Sequence, residues 1–231
     1  MALVTPQTRL ADVIVAEPSV IPVVNRFGIS LGVGDKTTDE ICRERGIDVN
    51  FFLTIINAYI FESFYPDKHF RSFGAREVID YLRQTNESYV RNQLPNIERH
   101  FNALISRSNS ANNLSLLFDL YKEVRTAIEQ RIADDVPWFD RILHQESNLD
   151  ASAIQINPDD VNADNDDDIS DTLDDLVNMF VIHLRGDYDA NLCHAVLFAI
   201  ISLKKDICQN NRIRNRVLYP LSRAIDNAYN K

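Results

Sequence analysis

The chain has 231 residues, of which 45% are hydrophobic and 25% charged, and its formal net charge is −10. That composition fits a water-facing globular protein with room for one full domain and a smaller one, and no apolar run approaches the roughly 18–20 residues that a membrane helix needs. The negative balance argues against nucleic acid as a partner, because phosphate binding relies on a basic surface and counterion release.

The opening stretch "MALVTPQTRLADVIV" lacks the basic region, apolar core and small-residue cleavage site of an export signal, so the expected location is the cytoplasm. From Thr8 to about Phe61 the pattern is helical and punctuated. Pro18 marks a break after a short apolar segment, and a second short helix ends near Gly28. Thr37, followed three residues later by Glu40, is a capping signal that satisfies otherwise orphan amide donors. Gly46 stops that helix, and Asp48 is the expected N-cap of the next, which carries Phe51, Phe52, Ile55, Ile56 and Tyr59 at helical spacing. These signals predict a small helical domain over 1–61. The stretch "FESFYPDKHFRSFG" predicts a packed connector over 62–74.

Long amphipathic patterns follow over about 75–107, 113–146, 170–208 and 210–229, with a break near Gly186. Pro95 and Pro137 are expected to kink or interrupt the first two, because proline removes an intrahelical donor and collides with the preceding turn. Strand-like alternation is nearly absent. Four such segments in about 155 residues predict an up-and-down four-helix bundle over 75–231, so the expected fold class is all-α.

Between the second and third patterns, about 148–170, lies an acidic insertion. Ten Asp fall between Asp150 and Asp175, and no Lys or Arg occurs from Ile142 to Leu184. A calcium loop needs alternating acidic ligands around a central glycine, and "NADNDDDIS" lacks that glycine; a solvated, self-repelling segment is the expected state. Cys42, Cys193 and Cys208 are widely spaced, without a C-x-x-C pair, and read as ordinary interior thiols. Of the histidines at 69, 100, 144, 183 and 194, none has another His or a Glu four residues away on a core stripe.

The stretch "LADVIVAEPSVIPVVNRFGI…GDKTTDEICRERGID" resembles the small N-terminal domain of the iron–sulfur cluster repair proteins called Repair of Iron Centers, and the remainder resembles their hemerythrin-like di-iron bundle. The bundle likeness rests on "YVRNQLPNIERH", "AIEQRIADDVPWF" and "NNRIRNRVLYP". The resemblance implies a small helical domain followed by a four-helix bundle. It also exposes departures. Gly32 and Val33 stand where the family has a Cys-Cys pair. The positions matching its iron ligands read Glu87, Ser108, Arg131, Asp135, Asp187, Asn210 and Arg214, with no histidine among them.

A bundle di-iron site needs imidazoles and carboxylates converging from several helices. If Glu87, Asp135 and Asp187 face the interior, three carboxylates are buried together, which is costly without compensating positive charge. The guanidinium groups of Arg131 and Arg214 are then expected to replace the cations, with Asn210 completing an internal polar network. The bland alternative is that Arg131 and Asp135 form an exposed pair one turn apart.

Three functions follow. The first is a metal-free, non-catalytic protein with an interaction or regulatory role and a protein partner or self-association. Arg26, Lys36, Arg43 and Arg45 of the small domain oppose the acidic insertion in sign, within the chain or across a dimer. The second keeps iron, for iron–sulfur cluster repair or a nitrosative or oxidative stress response. The third is a sensor that captures a small anion in the bundle core on Arg131, Arg214 and Asn210. No Gly-rich phosphate loop, G-x-S-x-G or positioned Cys-His or Ser-His pattern supports hydrolytic or transfer chemistry.

Overall fold

In the computed structural model, which describes residues 2–64, 73–108, 113–156 and 168–230, the chain is all-α: among these residues there is no strand, only an isolated bridge between Arg9 and Thr37. The helices are α1 (Leu10–Ala16), α2 (Ile21–Arg26), α3 (Thr38–Arg45), α4 (Val49–Ile60), α5 (Ala75–Ser88), α6 (Leu94–Ser106), α7 (Leu114–Glu146), α8 (Asp168–His183), α9 (Ala190–Ile213) and α10 (Tyr219–Tyr229). A 3-10 turn at Pro18–Val20 joins α1 to α2. Among the described residues no helix is long and apolar enough to cross a membrane.

Local chemistry explains the short elements. Glu40 N–H donates to Thr37 Oγ1 at 3.3 Å while Thr37 N–H donates to Glu40 Oε2 at 2.7 Å, a reciprocal capping box that starts α3. Gly46 ends that helix at φ 66, a left-handed conformation that a side chain disfavours. Asp48 then accepts from Phe51 N–H at 2.7 Å and caps α4.

The long helices depart from the sequence expectation in two places. Pro137 sits inside an unbroken α7. It and Ala133, whose carbonyl loses its bond, are both exposed, so water can satisfy the freed oxygen. At Pro95 the expected local interruption is present: α5 ends at Ser88 and α6 begins at Leu94, with the proline in its first turn. The five residues Tyr89–Gln93 form a π-helical turn between α5 and α6, and Arg214–Leu218 form a second between α9 and α10. Each ends one residue before an X-Pro pair, Leu94-Pro95 and Tyr219-Pro220. The wider turn removes the conflict between the proline ring and the carbonyl four residues back. The expected boundary between 208 and 210 is absent: α9 runs from Ala190 to Ile213. The break near Gly186 is present, with φ 86.

The chain forms two units, one within Met1–Gln84, Phe139–Asn165 and Gln209–Lys231 and the other within Thr85–Trp138 and Asp166–Cys208. In the first, α4 is buried on nearly every side, from Phe51 to Tyr59. Asn57 clamps the N-terminal segment, accepting from Val4 N–H at 2.8 Å and donating to Val4 O at 3.0 Å. On its other flank Phe27 meets Tyr81 and Phe51 meets Phe73 at ring distances of 5.3 and 5.2 Å. Gln209 Nε2 donates to Tyr59 O at 2.7 Å, and the buried Arg216 donates to Glu62 O and to Phe64 O. The first 64 residues therefore dock on α5 and on the stretch that leads into α10, rather than standing apart. The expected connector at 62–74 lies largely outside the described residues.

The second unit has one apolar cluster drawn from α6, α7, α8 and α9, with Phe101, Tyr121, Ile128, Leu176, Val196 and Leu203 among its members. Phe101 stacks on Tyr121 and meets Phe180 at 5.8 and 5.4 Å. Tyr121 Oη donates to Leu94 O at 2.7 Å, so its polar end is satisfied inside the apolar cluster.

Candidate functional site

Of the six positions expected to form an internal network, Glu87, Arg131, Asp135 and Asp187 belong to the second unit, and Asn210 and Arg214 to the first. Two of them correct the expectation of burial. Glu87 is exposed, its side chain 53% accessible, and pairs with Arg91 at 2.6 Å. Asp187 is exposed in the link between α8 and α9. Ser108 is half-buried and donates to Leu104 O at 2.7 Å, a bond that finishes α6.

The reason for Glu87 lies in helical phase. The inner stripe of α5 runs Val78, Ile79, Leu82, Thr85, Asn86 and on to Tyr89, all buried. Glu87 is one residue, about 100°, off that stripe. Its neighbour Asn86 takes the inward place: Nδ2 donates to Asp135 Oδ2 at 3.0 Å. Asp135 is 3% exposed, so its turn of α7 faces inward and the exposed-pair alternative does not apply. Arg131, one turn earlier, is half-buried, with Nε and Nη2 enclosed.

A second buried carboxylate was not anticipated. Asp206 of α9 is 3% exposed and accepts from Gln93 Nε2 at 3.1 Å. Asn86, in the last turn of α5, and Gln93, the last residue of the π-helical turn that follows, each supply a neutral amide donor to a buried carboxylate. The signal for Asn86 and Asp206 was present in the helical period, four residues on from the buried Leu82 and three on from the buried Leu203. Gln93 carried no such signal, because it closes the π turn.

Among the described residues the geometry does not assemble an open ligand set. His100 is half-buried, and His144, His183 and His194 are exposed; His69 lies outside the described residues. Among the described residues no three His, Cys, Asp or Glu side chains converge as a metal site. The buried acids are instead engaged by amides, which fix side-chain position and add no nucleophile or proton relay.

In the first unit Asn210 is 2% exposed, and neither Oδ1 nor Nδ2 makes a hydrogen bond. Arg214 is half-buried, its guanidinium carbon 6.0 Å from the centroid of Phe139. The basic residues of the N-terminal segment have local partners. Lys36 pairs with Glu44 at 2.7 Å, Arg43 pairs with Asp39, Arg45 donates to Gly28 O at 3.0 Å and Arg26 donates to Tyr81 Oη at 3.3 Å. Much of the acidic stretch proposed to meet them, 157–167, lies outside the described residues.

Cys42 and Cys193 are buried and Cys208 is half-buried. Burial, aided by Asp39 and Asp48, pushes the Cys42 thiol up to about 12, and burial also raises Cys193. Neither has the depressed pKa of a reactive thiol. Comparison with known proteins finds no family model that matches this chain, no similar curated protein and no similar solved structure.

Proposed function

We propose that the chain is a metal-free, non-catalytic member of the hemerythrin-like class, descended from a di-iron repair protein and retained in the cytoplasm for an interaction or regulatory role. In this reading α6 to α9, with the end of α5, are the up-and-down four-helix bundle, and the first 61 residues are the small domain of the Repair of Iron Centers family. The observation that carries it is the bond from Asn86 to Asp135. At a position matched to an iron ligand, the carboxylate is buried against a neutral amide, with an arginine one turn away. A cation there would meet that positive charge, and among the described residues no three His, Cys, Asp or Glu side chains gather to coordinate it.

An interaction role is supported by large apolar side chains left in solvent on α8 and α9, Val181, Ile182 and Phe198. Metal analysis of protein purified without chelators tests the reading. Less than about 0.1 iron per chain, with no visible-range oxo-bridge absorption, is expected; close to two irons per chain would replace it with the iron-binding alternative, since a bundle di-iron site holds about two.

A further inference from the structure

In the second unit two side-chain contacts fix how α8 and α9 are aligned. Lys204 pairs with Asp174, and Cys208 Sγ donates to Ser170 Oγ at 3.6 Å. The contacts step four residues along each helix in opposite directions, so the pair is antiparallel. Continuing that register sets Val177 level with Ile201, and Val181 level with Leu197. The core side of α9 is the buried line Val196, Ile200, Leu203 and Ile207. Phe198 is two residues from both Val196 and Ile200, about 200° around the helix, and it points outward, 68% exposed. Ile201 and Val181 are exposed at the same end of the pair, with the half-buried Val177 and Leu197 between them. Apolar side chains gathered on adjacent helices in this way mark an interaction surface.

Charge divides the same face. Asp168, Asp171 and Asp175 are exposed on α8, which has no Lys or Arg. On α9, Lys204 and Lys205 stand at the level of those aspartates, and the one acid of that helix, Asp206, is buried. Lys205 falls between the levels of Asp171 and Asp175. It is exposed and already engaged within its own chain, and an ammonium has three donors, enough to serve a further acceptor.

The face is thus complementary to itself about one axis. A two-fold running along the groove between the helices exchanges α8 and α9 without changing level. We propose that two copies of this chain pair through the α8–α9 face about that axis, with α9 of each copy lying on α8 of the other. Phe198 and Ile201 then cover Val181 and Val177 of the second copy, and Lys205 meets Asp171 of the second copy, each contact occurring twice. The shared length of the helices, about 24 Å, and the width of two helices, about 20 Å, give a footprint of roughly 500 Å² on each copy. That is the size of a weak, reversible interface, so pairing in the micromolar range is expected rather than an obligate dimer. The proposal rests on the interaction role above and names the partner.

Sedimentation equilibrium of the full chain in low salt, from about 1 to 300 µM, tests it, because low ionic strength preserves the exposed charge pairs. The mass is expected to rise with concentration from 26.5 kDa toward twice that value. Phe198→Asp, at an exposed position, should keep its helical circular dichroism and weaken pairing at least about thirtyfold. Lys205→Glu and Asp171→Lys should each weaken it about fivefold or more. An equimolar mixture of those two variants should recover it, since the mixed dimer opposes Glu to Lys in one half and Lys to Asp in the other. A wild type that stays monomeric up to about 300 µM overturns the proposal, as does a dimer that Phe198→Asp leaves intact. A mixture that recovers nothing also overturns it, because the helices would then meet in another order. Iron in a chain that dimerises this way would defeat the metal-free reading and leave the dimer standing, whereas an iron-free monomer would do the reverse.

Discussion

Replacing Asn86 by Asp places a second carboxylate where a neutral amide now meets Asp135, and the structure sets the size of the effect. The two groups are 3.0 Å apart and both are buried. Two unit negative charges at that distance in an effective dielectric of about 20 repel by about 5 kcal/mol. The variant also loses a hydrogen bond to a charged acceptor, about 1.5–3 kcal/mol. Side-chain relaxation reduces the sum, and a net loss of about 3–5 kcal/mol at pH 7 is expected, a fall in melting temperature of roughly 6–20 °C for a chain of this length. Circular dichroism at 222 nm measures it. The penalty should shrink as pH falls, because protonating either carboxylate removes the repulsion and restores a donor. Asn86→Leu, which adds no charge, should lose only about 1–2 kcal/mol. An Asp variant within about 2 °C of wild type at neutral pH would show that position 86 faces solvent in solution, and the account of the buried carboxylates would fail with it.

Thr37→Ala removes one half of the capping box and should cost about 1 kcal/mol, read as a melting temperature lower by about 2–4 °C. Arg216→Met leaves the carbonyls of Glu62 and Phe64 without their buried donor; a loss of about 2–4 kcal/mol is expected, with faster amide exchange around residues 60–64. Thiol labelling of native protein at pH 8 should modify Cys208 first and Cys42 last, because the Cys42 thiol is pushed up to about 12 and little thiolate forms. The same shift makes a pH prediction. The folded value lies above the ordinary 9.0, so the stability gained by keeping this thiol neutral is complete below that value and declines as pH rises from it toward about 12. A Cys42→Ala variant should show a shallower loss of stability over that alkaline range.

The helix signals that were legible in the sequence are those set by neighbours within a turn. Thr37 with Glu40, Gly46 and Asp48 each act through hydrogen bonds three or four residues long, and each forms as read. The proline rule holds at Pro95, where the α-helix is interrupted, and fails at Pro137, inside an unbroken α7. At Pro137 solvent exposure absorbs the missing bond, and at Pro95 and Pro220 a π-helical turn absorbs the ring, an adjustment with no residue signature of its own. The candidate site shows the opposite failure. Motif spacing pointed to Glu87, whereas the apolar period through Leu82 and Tyr89 pointed to Asn86, and packing follows the period because it decides which side chain leaves water. Asp206 and Gln93 meet across 113 residues of chain. A pairing of that span is settled by tertiary structure and is invisible to any local pattern.

The two wide turns before Pro95 and Pro220 also act as phase shifters. Each accommodates one more residue than an ordinary turn, so everything downstream is rotated by about 100° relative to an uninterrupted helix. Deleting a single residue from Tyr89–Gln93 would leave a smoother rod whose Ile97, Phe101 and Leu104 point away from their neighbours, or would force proline back against a carbonyl. For this segment the tolerated unit of insertion and deletion is therefore not one residue, and its length is under tighter physical constraint than the identity of most side chains along it.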